Sequence, residues 1–324
     1  MSVDHLITQF VPLNPAAVED TLNAVRAHPS RGDFLGKTQD GAPVFLIADD
    51  DATSYRPEVR HLHLRVSFGM SCRLNVNGKE LTSQFAVVRL ERGASELNEL
   101  FIRCVHAAMF TLPDSVGTLE IESRVSRLLS LFQALSTPSS RELSGFWAEL
   151  LCIRCSPNPA RTLAYWRSNQ AETFDFSWAG NRAEVKSTTA PHRIHEFSLE
   201  QLTRPPSGNG TVISVMLRPS NDGVGVMDLA QDIEAALEGI AELREKLWSQ
   251  VLQSLGNDFS NALDRKFDVD FALRHLAVFA VQNIPSVNSP LDSRITSVRF
   301  KVDLAEQCAE VPGGGAAALR AVFG

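Results

Sequence analysis

The sequence predicts an α/β (α+β) protein with an N-terminal β-rich domain, and three observations carry that reading. Between Pro43 and Leu90, apolar side chains recur at every second position or in short runs, the spacing of half-buried strands. From Glu96 to Leu135 the spacing lengthens to that of helices. From 141 to 217 the order becomes helix, strand, strand, helix, strand, which calls for strands and helices packed in one unit.

Each element has its own justification. Residues 1–40 read as a helical opening, with Asn14-Pro15 starting a segment whose Val18, Leu22 and Val25 share a helical face. Val44-Phe45-Leu46-Ile47 is a short apolar run. Leu62, Leu64, Val66 and Phe68 alternate with His63, Arg65 and Ser67. Asn77-Gly78 supplies a hairpin turn before Phe85-Ala86-Val87-Val88. Glu96 to Met109 and Val116 to Leu135 read as helices, the second ended by Ser136-Thr137-Pro138. Ser140 is placed to cap a helix from Arg141 to about Ile153. Strands are expected at about 172–178 and 183–188, joined by Ala179-Gly180-Asn181. Ser198 would cap a short helix beginning Leu199-Glu200-Gln201-Leu202, and Thr211 to Leu217 reads as a buried strand. Residues 228–255 read as one long amphipathic helix, 258–265 as another helix, and 276–281 and 296–302 as late strands. Pro312-Gly313-Gly314-Gly315 reads as a flexible hinge before a short C-terminal helical segment, without the flanking strand and Lys-Ser/Thr of a phosphate loop. The domains expected are 1–115, 116–310 and a flexible tail, 311–324.

Composition narrows the class. The chain has 324 residues, 44 % hydrophobic and 21 % charged, the balance of a globular protein. Met1-Ser2-Val3-Asp4-His5 lacks the features of a signal peptide, and no apolar stretch is long enough to span a bilayer, so a cytoplasmic location without membrane contact is expected. Cys72, Cys104, Cys152, Cys155 and Cys308 are an odd, scattered set, which argues for reduced thiols. Cys152-x-x-Cys155 has no second pair at ligand spacing and continues an apolar helix. The net charge of −7 does not suggest a non-specific nucleic-acid binder. Residues 141–220 nevertheless hold 9 basic against 7 acidic side chains, while 221–324 hold 9 against 15. Arg154, Arg161, Arg167, Arg182, Arg193 and Arg204 could form a phosphate-facing rim.

The chemistry concentrates in Phe174-Asp175-Phe176 and Glu184-Val185-Lys186. On a strand Glu184 and Lys186 share a face while Ala183, Val185 and Ser187 take the other. Phe174 and Phe176 would pack inward and leave the Asp175 carboxylate pointing out of the core. A hairpin brings Asp175 to the Glu184/Lys186 face. Two carboxylates and an ammonium on one patch need a partner, and a divalent cation supplies one.

These residues resemble the PD-(D/E)XK nuclease superfamily and, more narrowly, its bacterial family member 4. Four pieces carry the resemblance: Gly145-Phe146-Trp147-Ala148-Glu149-Leu150, Asp175-Phe176, Glu184-Val185-Lys186-Ser187-Thr188, and Arg193-Ile194-His195-Glu196-Phe197-Ser198-Leu199-Glu200-Gln201-Leu202. The strong matches cover roughly 141–205. Ala148 stands where the family has a second Gly, and no Pro precedes Asp175; neither change removes a ligand. The resemblance implies a restriction-endonuclease-like core, a mixed sheet flanked by helices, with the site where the central hairpin splays. It implies Mg²⁺, or Mn²⁺, held by Asp175, Glu184 and the Val185 main-chain carbonyl, with Glu149 joining from the preceding helix. Lys186 would orient or deprotonate the attacking water or act as a cation for phosphate. Gln201 would face the site, and Arg193 and His195 would contact phosphate.

The function so implied is a metal-dependent DNA endonuclease of a restriction or anti-phage defence system. A homodimer would give two sites for two strands. The alternative is a catalytically weak, nuclease-like DNA-binding or scaffold subunit working with defence-system protein partners. The intact Asp175, Glu184 and Lys186 favour the first, because a retired site need not keep a costly charge group.

Overall fold

Strand pairing organises two compact units, one of residues 1–139 with 244–258 and one of residues 140–243 with 259–324. The computed structural model describes residues 2–15, 21–51, 56–60, 63–91, 95–136, 139, 142–167, 172–203, 205, 207–237, 239–287, 294–305 and 315–324. Val18, Leu62, Ser140, Arg141, Arg204, Cys308 and Pro312-Gly313-Gly314 lie outside the described residues.

The first unit opens with α1 (Val3–Phe10), capped by Ser2. Then come β1 (Thr21–Arg26), β2 (Phe34–Lys37), β3 (Pro43–Ala48), the two-residue β4 (Val59–Arg60), β5 (Leu64–Val76) and β6 (Lys79–Leu90). The pairing order β1-β2-β3-β6-β5 closes on itself because β1 also runs parallel to β5, while β4 adds to the start of β5. The result is a five-stranded barrel. The β5–β6 turn is Asn77-Gly78, both at positive φ (52° and 80°), as a two-residue hairpin requires. Ala24, Phe34, Val44, Leu46, Leu74 and Phe85 fill the barrel. Phe45, on the opposite face of β3, meets Phe101 of α2 (Asn98–Phe110), which in turn meets Phe132 of α3 (Thr118–Gln133), with ring centroids 5.8 and 6.1 Å apart.

Residues 21–40 overturn the helical opening expected there. Leu22 does lie on an apolar face, but that face is the barrel interior shared with Ala24, so the effective spacing is two. Pairing to β2 and β5 on its two edges fixes β1 as a strand.

The second unit runs α4 (Leu143–Arg154), α5 (Pro159–Tyr165), β7 (Phe176–Trp178), β8 (Asn181–Thr188), β9 (Ile194–Ser198), β10 (Gly210–Met216), β11 (Pro219–Gly225) and α6 (Val226–Ala235). The chain then enters α7 (Ala241–Leu255), whose residues from Arg244 onward belong to the first unit. It returns as α8 (Phe259–Asp264), β12 (Lys266–Phe267), α9 (Val269–Arg274), β13 (Ala277–Ala280), β14 (Arg299–Asp303) and α10 (Gly315–Phe323). The main sheet is mixed, in the order β13-β10-β8-β7, with β8 and β10 parallel and the outer pairs antiparallel. β9 pairs with β14, and β11 with β12, as separate ribbons. α4 is apolar nearly all round, as a helix buried against both β8 and α6 must be. Among the described residues no helix is long and apolar enough to cross a membrane.

Other expectations shift. The helix read over 228–255 is two helices, α6 and α7, broken around Gly239, which adopts φ +76°. The helix at 199 is a single 3₁₀ turn, Glu200–Leu202, without a side-chain cap on its first amides; instead the Ser198 N–H donates to Gln201 Oε1 at 3.1 Å. The short helix expected after the hinge stands as α10, but it is not a loose tail: its Phe323 packs on Phe176 and Trp178 at 5.2 and 5.5 Å.

Candidate active site

The β7–β8 hairpin positions the central residues. Ala179 and Gly180 make its turn, both at positive φ. A side chain at Gly180 would lie 2.7 Å from Ser207 Oγ and 3.2 Å from Ser207 O, so the neighbouring loop's close approach also demands glycine. β7 pairs with β8 only as far as Ala183, and past that point the two chains part. The widened edge is where Asp175 sits, just ahead of β7.

Asp175 differs from its expected orientation. Its carboxylate is buried, not directed out of the core. Oδ2 accepts from the Val185 N–H at 2.7 Å, filling the ladder position that β7 no longer reaches. Oδ1 meets the Arg167 guanidinium at 2.9 Å. In an extended strand a residue's N–H and C=O leave on the same side, so the Val185 carbonyl faces this edge too.

Glu184 is also buried, on the strand face opposite Ala183 and Val185. Its Oε1 lies 2.9 Å from Lys186 Nζ and accepts from Gln201 Nε2 at 2.5 Å. Its Oε2 is buried and has no hydrogen-bond partner among the described residues. Burial, followed by the Asp175 charge, pushes the Glu184 carboxyl up to about 8, although Lys186 and Arg167 pull it down. Gln201 Oε1 also accepts from Lys186 Nζ at 3.2 Å, and the ammonium lies 5.3 Å from the Phe197 ring centroid. Gln201 therefore bridges Glu184 and Lys186 and sets their spacing.

Glu149 projects from α4 into the same neighbourhood, but both of its oxygens are held. Trp166 Nε1 donates to Oε2 at 2.6 Å and Arg167 donates to Oε1 at 3.0 Å. Arg167 thus spans Glu149 and Asp175. Desolvation works against its charge, yet Asp175, Glu149 and Glu184 outweigh that and raise its pKa. The Arg167 main-chain N–H also donates to the Asp175 carbonyl at 2.8 Å, and Trp166 bridges to Phe176, so residues 166–167 extend the β7 edge.

Arg193 and His195 lie on the far side of Lys186. Arg193 Nη1 donates to Ser214 O and Oγ at 3.1 and 2.8 Å, and its other nitrogen reaches the His275 carbonyl. His195 is buried with Nε2 2.8 Å from Ser214 Oγ. Burial, then the charges of Lys186 and Arg193, hold its pKa down at about 4, so the ring is neutral at pH 7. These two side chains brace Ser214, the β10 register partner of Lys186, and present no open phosphate site. Of the arginines of the expected rim, Arg154 pairs with Asp232, Arg161 reaches Tyr165 and Arg182 lies over Phe174. Cys152 is a buried free thiol, raised by desolvation.

Among the described residues no three His, Cys, Asp or Glu side chains form a metal cage by themselves. The donor set does fit Mg²⁺ of another kind. Asp175, the orphaned Glu184 Oε2 and the Val185 carbonyl offer a few hard oxygens and leave positions for water or phosphate oxygens.

Two carboxylates and a lysine thus lie at the hairpin of a mixed sheet. Residues 25–305 match the model of DUF4420, by its description a provisional PD-(D/E)XK family member, and the chain belongs to that family. No curated protein and no solved structure matches it.

Proposed function

We propose that this protein is a Mg²⁺- or Mn²⁺-dependent deoxyribonuclease, acting in the cytoplasm as part of a restriction or anti-phage defence system. The buried Glu184 Oε2 with no partner carries the reading, because an unmet carboxylate oxygen inside a protein is costly and a cation would meet it. Asp175, Glu184 and the Val185 carbonyl would hold the ion. When bound, it would lower the pKa of a water and offset charge on the phosphoryl oxygens. Lys186 would orient that water, take its proton as a neutral amine, or act as a cation for the phosphate. Gln201 fixes Lys186 against Glu184. Glu149 acts through Arg167 as a positioning residue. Arg193 and His195 stiffen β10 behind Lys186 through Ser214. A homodimer would supply the second cut of a duplex.

One observation favours a second reading, a nuclease-like DNA-binding or scaffold subunit with little activity. Arg167 already gives Asp175 and Glu149 an internal cation. Calorimetry with Mg²⁺ and Mn²⁺ on wild type and Glu184→Gln, with plasmid cleavage by the same preparations, separates the two. Binding and cleavage that both vanish in the variant support the nuclease. Wild type that binds no metal, even with DNA present, sinks it in favour of the scaffold.

A further inference from the structure

The first unit carries a cleft of about 800 Å³ at one end of its barrel. Its floor is apolar: Leu22, Val44 and Val87 belong to the barrel's interior layer. Above them Arg65, Ser67 and Arg89 occupy inward positions of β5 and β6. The register fixes this, since Arg89 lies opposite both Val44 and Arg65, and Ser67 lies opposite Val87.

Two arginines directly opposed on one face repel unless something neutralises them. Arg65 is neutralised: its Nε donates to Glu91 at 2.6 Å and lies 3.6 Å from Glu58. Arg89, half-buried beside it, has no hydrogen-bond or ion-pair partner among the described residues. The acids lining the mouth are already engaged, Glu58 and Glu91 by Arg65 and Asp40 by the Thr38 hydroxyl. The mouth therefore combines an uncompensated guanidinium, a flat apolar floor and the volume of a small-ligand site.

We infer that the barrel mouth binds a nucleotide, its phosphate on Arg89 and its sugar and base over Leu22, Val44 and Val87. A guanidinium fork matches phosphate oxygens, and an apolar floor suits a planar base. The choice of a nucleotide over other organic anions rests on the nuclease reading. The nucleotide could be part of a DNA strand or free in solution, and the two share this chemistry.

The test uses the full chain in EDTA, so that nothing is cleaved. Fluorescence anisotropy reads binding of a labelled single-stranded oligonucleotide, with deoxynucleoside monophosphates as competitors. Arg89→Gln is expected to weaken binding about tenfold or more and Arg89→Lys to weaken it less. Competition by monophosphates identifies a free nucleotide as sufficient; binding of the oligonucleotide without such competition assigns the site to a DNA strand. Wild type that binds neither, or Arg89→Gln that binds like wild type with unaltered melting, overturns the inference. Should Arg89→Gln fail to fold, Arg89→Lys decides, and wild-type affinity in that variant overturns it. Nucleotide binding that depends on Arg89 in a protein without metal-dependent cleavage would overturn the nuclease reading alone.

Discussion

Arg167 and Glu184 carry opposite electrostatic problems. Arg167 is a half-buried cation held by two carboxylates, whereas Glu184 is a buried acid with one oxygen unmet. Arg167→Met removes the cation and leaves Glu149 and Asp175 buried without it. Losing one partner of such a set costs about 3–5 kcal/mol, so the variant should melt well below wild type by calorimetry. Mg²⁺ should recover part of that loss in Arg167→Met and stabilise wild type less, because wild type already has a cation there. Equal Mg²⁺ effects on both would show that Arg167 and the ion do not share Asp175. His195 gives a pH signature. Its folded pKa, about 4, lies below the ordinary 6.5, so its contribution is fully present above pH 6.5 and is lost as pH falls toward 4. The difference in stability between wild type and His195→Gln should shrink over that window, by roughly 3 kcal/mol at its largest. A constant difference from pH 7 to 4 would mean that the imidazole titrates normally.

At the scale of elements, α10 backs the strand that bears the site. Phe323 packs against Phe176 and Trp178, the first and last residues of β7, with Asp175 immediately ahead. Phe323→Ala should cost about 3–5 kcal/mol and raise the metal dissociation constant, read by denaturant unfolding and calorimetry. Destabilisation with unchanged metal affinity would restrict α10 to packing. A short C-terminal helix after the glycines was legible in the sequence, but its docking was not, since only the burial of Phe323 shows that the segment is anchored. Other elements were plain. The alternation over 64–68, the Asn77-Gly78 turn and the run Thr211 to Leu217 stand as β5, β6 and β10, because local spacing and tertiary burial agree there. They disagree at Leu22 and Val25, where pairing on both edges overrides a weak helical spacing. The site was legible in the same uneven way. Glu184, Lys186 and Gln201 were readable from motif spacing and do meet. The place of Arg167 was not, since an arginine becomes an internal counter-ion only through acids 18 residues back and 8 residues on. The tasks of Arg193 and His195 depend on Ser214, which no local pattern marks.

For the whole molecule, chain order and spatial order part company. Residues 244–258 leave the middle of the second unit's sequence and complete the first. Trp248 shows what they contribute: it is fully buried, and the Arg103 guanidinium lies 5.5 Å from its ring centroid. Arg124 of α3 also reaches Glu245 at 3.4 Å. A fragment ending at 139 therefore exposes the surface that Trp248, Val251 and Leu252 cover, since all three are buried in the chain. Trp248→Ala in the full chain should cost about 3–5 kcal/mol, the range for emptying a buried aromatic site. The isolated fragment 1–139 should lose more than that, because it lacks the whole helix segment, and should show a broad, weakly cooperative urea transition. Joining 244–258 to it through a flexible linker should sharpen that transition. A fragment 1–139 that unfolds as cooperatively as the joined polypeptide would show that the barrel and its two helices are self-sufficient. In that event the returning helix would be a passenger on the first unit, and Trp248→Ala would cost far less than a buried aromatic should.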